Sequence, residues 1–200
     1  MSYESLKREI GNAPNLITLG RLFLVPPVIW LMDPVDPARN LIAALVFAVA
    51  SGLDLLDGYL ARKYGLVTVF GKFVDPLADK IMVAAVLVYL VHHGLVAPWI
   101  VVVLLGREFY MSGLRLVAGS EGVVIAAGEG GKAKTVFQLL GICCVLARYE
   151  YRMIPFDATL DFWRVGMAFL YVSVALSITS AVSYTVGFGR ALRERAAART

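Results

Sequence analysis

The stretch that decides how this chain is read runs from Asp54 to Asp79: DLLDGYLARKYGLVTVFGKFVDPLAD. Asp54 and Asp57 are spaced i, i+3, and Asp75 and Asp79 i, i+4, so on helices each pair occupies one face. The loop between them, roughly residues 62–72, folds the second helix back beside the first. All four carboxylates then converge at one depth, near the cytoplasmic interface. Clustered carboxylates repel one another and are costly beside lipid. Hard oxygen donors suit Mg²⁺ or Mn²⁺, and four of them can share two ions, as in phosphoryl displacement. The blander alternative, helix-end aspartates that cap and snorkel, does not explain matched pairs on consecutive helices. Gly58 and Ala61 keep the surface beside Asp57 small enough for a ligand to press against it. Arg62, one turn beyond Gly58, is placed to meet a phosphate, and Gly71 begins the turn into the second helix.

Outward from this segment the chain is strongly apolar. Of its 200 residues 59% are hydrophobic, high for a soluble domain, and they fall in long blocks. The blocks predict an all-α integral membrane protein with six transmembrane helices, over about 17–32, 41–60, 73–91, 98–117, 133–147 and 162–186. Pro26 and Pro27 are expected to kink the first. Tyr3, Leu6 and Ile10 recur at helical spacing, which predicts a short amphipathic interfacial helix within residues 1–12. A single membrane domain over 1–200 is expected, with no signal peptide and a basic cytoplasmic tail over 190–200.

Lys and Arg in the loops set the orientation. With both termini cytoplasmic, the inner side holds Lys7, Arg8, Arg62, Lys63, Lys72, Arg115, Lys132, Lys134, Arg190, Arg193, Arg195 and Arg199. The outer side holds Arg39, Arg148 and Arg152. Twelve against three places the aspartates at the cytoplasmic face of the inner membrane. The net charge of +4 suits an anionic lipid surface, and no basic patch interleaved with aromatics points to nucleic acid. Cys143 and Cys144, adjacent on a helix, are poorly placed to bridge each other.

The pattern Asp-x-x-Asp-Gly-x-x-Ala-Arg, eight residues, then Gly-x-x-x-Asp-x-x-x-Asp resembles the signature of the CDP-alcohol phosphotransferases. Asp54, Asp57, Gly58, Ala61, Arg62, Gly71, Asp75 and Asp79 match it without a gap. The resemblance implies two divalent cations, Mg²⁺ or Mn²⁺, on Asp54, Asp57, Asp75 and Asp79, with Asp79 also the general base. It implies a CDP-diacylglycerol site with Gly58, Ala61, Arg62 and Thr68, together with Asn15 and Thr18 of the segment Pro14–Thr18. It also implies six spans and a homodimer.

The acceptor is read from charges within or beside the later spans. Arg107, Met111 and Arg115 share one helical face, Glu108 follows Arg107, and Lys132 and Lys134 begin the fifth span. Intramembrane charges are functional candidates, and so many cations suggest an anionic acceptor whose phosphate is held by Arg107, Arg115, Lys132 and Lys134. Alternatives are an ion pair for Arg107 and interfacial snorkelling for the lysines. Gly106-Arg107-Glu108 with Arg115, and Gly131-Lys132-x-Lys134-Thr135 with Gln138, resemble the phosphatidylglycerophosphate synthase branch of the family, whose acceptor is glycerol 3-phosphate. Rival acceptors are an inositol phosphate, serine or phosphatidylglycerol. A divalent-cation transporter is the rival of another class, although it would place its carboxylates near the midplane. Ser173 and Ser177 form a small-xxx-small face in the last span, the pattern of close helix contacts.

Overall fold

The computed structural model describes residues 13–33, 35–63, 69–122, 129–153 and 158–197. Their elements, in chain order, are α1 (Ala13–Leu31), α2 (Pro37–Lys63), α3 (Val69–His92), α4 (Pro98–Ser120), α5 (Glu129–Ala147), β1 (Glu150–Met153), β2 (Ala158–Asp161) and α6 (Phe162–Ala197). The six apolar blocks thus become six helices. The segment 1–12 lies outside the described residues.

Helix α1 runs through Pro26 and Pro27, both exposed, which remove backbone donors inside it. Two boundaries differ from expectation. Helix α3 starts at Val69, so Gly71 lies inside it rather than opening a turn. Helix α6 runs to Ala197; at 1.5 Å per residue it is about 54 Å long, well beyond a hydrocarbon core of about 30 Å. It is also the one helix among the described residues that is long and apolar enough over Phe162–Arg195 to cross a membrane. The sequence reading also missed a hairpin: β1 and β2 pair antiparallel, Glu150 opposite Asp161 and Tyr151 opposite Leu160.

The ends of the helices are fixed by local chemistry. Asp36 accepts from the backbone N–H groups of Ala38 (2.9 Å) and Arg39 (3.3 Å), capping α2 ahead of Pro37 at its first position. At the end of α3, Gly94 adopts φ 68°. Its N–H donates to Val91 O and that of Leu95 to Leu90 O, both at 2.9 Å, which is the Schellman arrangement that needs a left-handed residue.

The same end of the bundle is tied by polar contacts. Tyr89 Oη donates to Met32 O (2.6 Å), Arg39 to Asp33 Oδ2 (2.7 Å) and Trp30 O (2.7 Å), and Arg148 to Asp33 O (3.2 Å). The end of α1, the start of α2 and the end of α3 therefore meet here. The start of α1, the end of α2 and the start of α3 share the opposite end.

Helix α1 packs against both α2 and α3, α2 also against α5, and α4 against α6. The most extensive contact is α5 on α6, and glycine makes it possible. A Cβ on Gly166 would lie 2.8 Å from Gly141 O and 2.7 Å from Val145 N, so the backbones touch. Ser173 and Ser177 are fully buried, Ser173 donating to Lys134 O at 3.1 Å; their small-residue face is used inside the chain. The core centres on Val28, Phe47, Leu87, Leu90, Ile100, Leu104, Ile142 and Leu170. Outside it, Phe23, Leu45, Val49, Val88, Val102, Leu116, Val136 and Val182 are exposed. Cys143 and Cys144 are free thiols.

Candidate active site

Asp54, Asp57, Gly58, Ala61 and Arg62 fall on α2, and Gly71, Asp75 and Asp79 on α3. The two motif halves occupy consecutive helices joined at the same end of the bundle, and the spacings i, i+3 and i, i+4 place each pair on one helical face. Asn15 and Thr18 lie on α1, the helix that packs against both. The side chains of all these residues, and Thr68 altogether, lie outside the described residues. Among the described residues no three His, Cys, Asp or Glu side chains gather as a metal site.

A second polar cluster is described in full. It links side chains of α4, α5, α3 and α6. Glu108 of α4 receives Lys134 Nζ of α5 on Oε1 at 2.5 Å and Arg107 Nη1 on the same oxygen at 2.9 Å. Arg107 Nη2 also donates to Ser180 Oγ of α6 at 2.9 Å. The Lys134 side chain is only 3% exposed. A buried ammonium needs a partner, and the Glu108 carboxylate supplies it. Lys80, the residue after Asp79, donates to Ser112 Oγ at 2.5 Å, and Ser112 donates to Glu108 O at 2.8 Å.

Three of these groups, Lys80, Glu108 and Lys134, border a cavity of about 50 Å³ that is also lined by the polar Thr135 and Gln138 and the apolar Val83, Leu105 and Leu139. Two of the four expected phosphate ligands, Arg107 and Lys134, are brought together. The other two are elsewhere. Arg115 is exposed with its guanidinium 6.0 Å from the Tyr184 ring, and Lys132 is exposed. Arg107 does form an ion pair, but with Glu108 of its own helix rather than an aspartate of a neighbouring one. Sequence reasoning passed over Lys80, Ser112 and Ser180. Lys80 carried a usable signal, a cation in an apolar run directly after Asp79. The two serines carried none, because their role depends on which helices touch.

Among the described residues the cluster sets three cations, Lys80, Arg107 and Lys134, beside one carboxylate, Glu108, a surrounding suited to an anion.

Comparison with known proteins agrees with the motif. The family model described as CDP-alcohol phosphatidyltransferase matches residues 11–179. A Bacillus subtilis CDP-diacylglycerol–glycerol-3-phosphate 3-phosphatidyltransferase is 42% identical over 177 residues, covering 81% of this chain and 91% of the relative. A Rickettsia bellii protein of the same name is 34% identical, covering 86% and 93%. A cardiolipin synthase (CMP-forming) from Oryza sativa is 37% identical over 190 residues, covering 88% of this chain and 57% of the plant protein. The chain belongs to the CDP-alcohol phosphatidyltransferases, a family of membrane-embedded enzymes.

Proposed function

We propose that the chain transfers the phosphatidyl group of CDP-diacylglycerol to glycerol 3-phosphate, giving phosphatidylglycerol phosphate and CMP. The observation that carries this reading is the cationic cluster of Lys80, Arg107 and Lys134, in which Lys80 directly follows the last aspartate of an ungapped family signature. The names and coverage of the Bacillus and Rickettsia relatives support it.

Four carboxylates on two adjoining helices are a donor set that fits two Mg²⁺ or Mn²⁺ ions. Asp54, Asp57, Asp75 and Asp79 would hold them. When bound, such ions neutralise charge on the pyrophosphate and on the departing phosphate. The chain's own residues do the rest. Gly58 and Ala61 let the CDP moiety approach α2. Arg62, with Thr68, Asn15 and Thr18, binds and orients it. Lys134 and Arg107 meet the acceptor phosphate, while Arg115 and Lys132, exposed and apart from them, add attraction at longer range. Asp79 takes the proton from the acceptor's primary hydroxyl. That oxygen bonds to the β-phosphorus as its bond to the CMP oxygen breaks.

In this reading the six helices are six spans of one membrane domain covering 1–200. The exposed apolar side chains of α1–α6 support it, since such a surface suits lipid. The segment 1–12 lies in the interface and the basic tail over 190–200 meets anionic headgroups. Both termini and the site face the cytoplasm at the inner membrane, and the enzyme works as a homodimer.

The rice relative favours a second reading, with phosphatidylglycerol as acceptor. CMP release from CDP-diacylglycerol, measured against a panel of glycerol 3-phosphate, inositol phosphate, serine and phosphatidylglycerol, decides between them. Turnover with glycerol 3-phosphate well above the others is expected. Preference for phosphatidylglycerol or for an uncharged alcohol overturns the acceptor assignment.

A further inference from the structure

The cationic cluster accounts for a phosphate but not for everything that borders the cavity. Gln138 of α5 is 3% exposed and lines it, yet its side-chain carbonyl Oε1 is buried without a hydrogen-bond partner among the described residues. An unsatisfied buried acceptor costs about 1–3 kcal/mol. Of the polar groups that line the cavity with it, Lys80 is held by Ser112, Lys134 by Glu108 and Thr135 by Gly131 O, and the Glu108 carboxylate is itself an acceptor. One turn separates Gln138 from Lys134 on the same helix, so a ligand whose phosphate meets Lys134 has its next few atoms at the reach of Gln138.

We propose that Gln138 is a specificity-determining residue, its side-chain carbonyl accepting a hydrogen bond from the secondary hydroxyl of the acceptor. The inference rests on the glycerol 3-phosphate reading above. In that molecule the secondary hydroxyl stands between the phosphate-bearing carbon and the attacking primary hydroxyl. Fixing it aligns the nucleophile, and a site with a buried acceptor rejects an analogue that leaves the acceptor unpaired.

The test compares sn-glycerol 3-phosphate with 3-hydroxypropyl phosphate, which lacks that hydroxyl, by CMP release at saturating CDP-diacylglycerol in mixed micelles. Wild-type enzyme is expected to favour glycerol 3-phosphate by roughly 10–100-fold in kcat/KM, the penalty of one unpaired acceptor. Gln138→Leu is expected to bring the ratio near unity by losing glycerol 3-phosphate while keeping the analogue, whose turnover reports that the variant is folded. Gln138→Glu, which keeps an acceptor oxygen, should retain the preference. A preference unchanged in Gln138→Leu overturns the proposal. So does an equal loss of both substrates in Gln138→Leu and in the near-isosteric Gln138→Met, which would make the residue structural. A wild-type enzyme that uses neither phosphate acceptor but does use phosphatidylglycerol overturns the acceptor reading and this inference with it. A wild-type enzyme that uses both phosphates equally overturns the inference alone.

Discussion

Lys134 Nζ and Glu108 Oε1 lie 2.5 Å apart, joining α5 to α4 through a lysine whose side chain is almost fully buried. Removing one partner of such a pair leaves the other charge stranded, at a cost of about 3–5 kcal/mol. Glu108→Gln removes the carboxylate shared by Lys134 and Arg107, so it should lower the unfolding temperature in detergent. Glu108→Asp, one methylene shorter, should lose less. An unchanged melting temperature for Glu108→Gln would show that the pair contributes nothing to the fold.

The acceptor cations should separate by burial. A charge-assisted hydrogen bond contributes about 1.5–3 kcal/mol, so Lys134→Ala should raise the KM for glycerol 3-phosphate by roughly one to two orders of magnitude. The KM for CDP-diacylglycerol should hardly change. Arg115→Ala should move the same constant in the same direction but less, because an exposed guanidinium is screened by solvent. Steady-state kinetics with each substrate varied in turn checks both. A selective defect towards CDP-diacylglycerol would move these residues to the donor side.

Metal removal should abolish activity, and Mg²⁺ or Mn²⁺ should restore it. Asp57→Asn should be inactive at any metal concentration, since the amide loses the ligand charge. Asp79→Asn should lower turnover by roughly 10²–10⁴-fold, the usual contribution of a general base, with a much smaller effect on donor binding. Full activity after exhaustive chelation would remove the two-ion mechanism.

Gly166→Ala should destabilise the α5–α6 contact, because its Cβ would meet Gly141 O at 2.8 Å and Val145 N at 2.7 Å, backbone atoms with little room to shift. Overpacking of this kind costs about 1–3 kcal/mol. Gly113→Ala in α4 meets nothing within 4 Å and should be neutral or stabilising by about 0.5–1 kcal/mol. Thermal unfolding of the two variants side by side gives the comparison.

The end of the bundle that holds Asp33 and His93 should be acid-sensitive in two windows. The Val35 N–H, with that of Asp36 and the Arg39 and Arg148 guanidiniums, holds the Asp33 carboxyl below its ordinary 3.8 despite some desolvation. A depressed acid contributes stability present above that value and lost as pH falls through the folded pKa. His93 is pushed below 6.5 first by burial, then by His92 and Arg148, with Asp33 opposing. The folded state resists protonating it, so stability falls as pH drops from 6.5 towards the folded value. Asp33→Asn should flatten the first slope and His93→Gln the second, read from unfolding temperature against pH.

The sequence by itself determined the six helices, the pairing of the aspartates on two consecutive helices and the family. Hydrophobic block length and fixed i, i+3 and i, i+4 spacings are local properties that survive whatever the helices later touch. It also singled out Arg107, Lys132, Lys134 and Arg115, because charge in an apolar run is visible in one dimension. Which of these cations share an anion was not. Arg107 and Lys134 are 27 positions apart and meet only because the Lys134 side chain of α5 reaches Glu108 of α4, whereas Arg115, on the same face of α4 as Arg107, ends beside Tyr184. The β1–β2 hairpin was hidden because four-residue strands carry too little period to register. The glycine contact between Gly141 and Gly166, the burial of Ser173 and Ser177 inside the chain and the unpaired carbonyl of Gln138 were decided by tertiary packing alone. Each depends on the separation of two backbones, a distance that no spacing along one chain encodes.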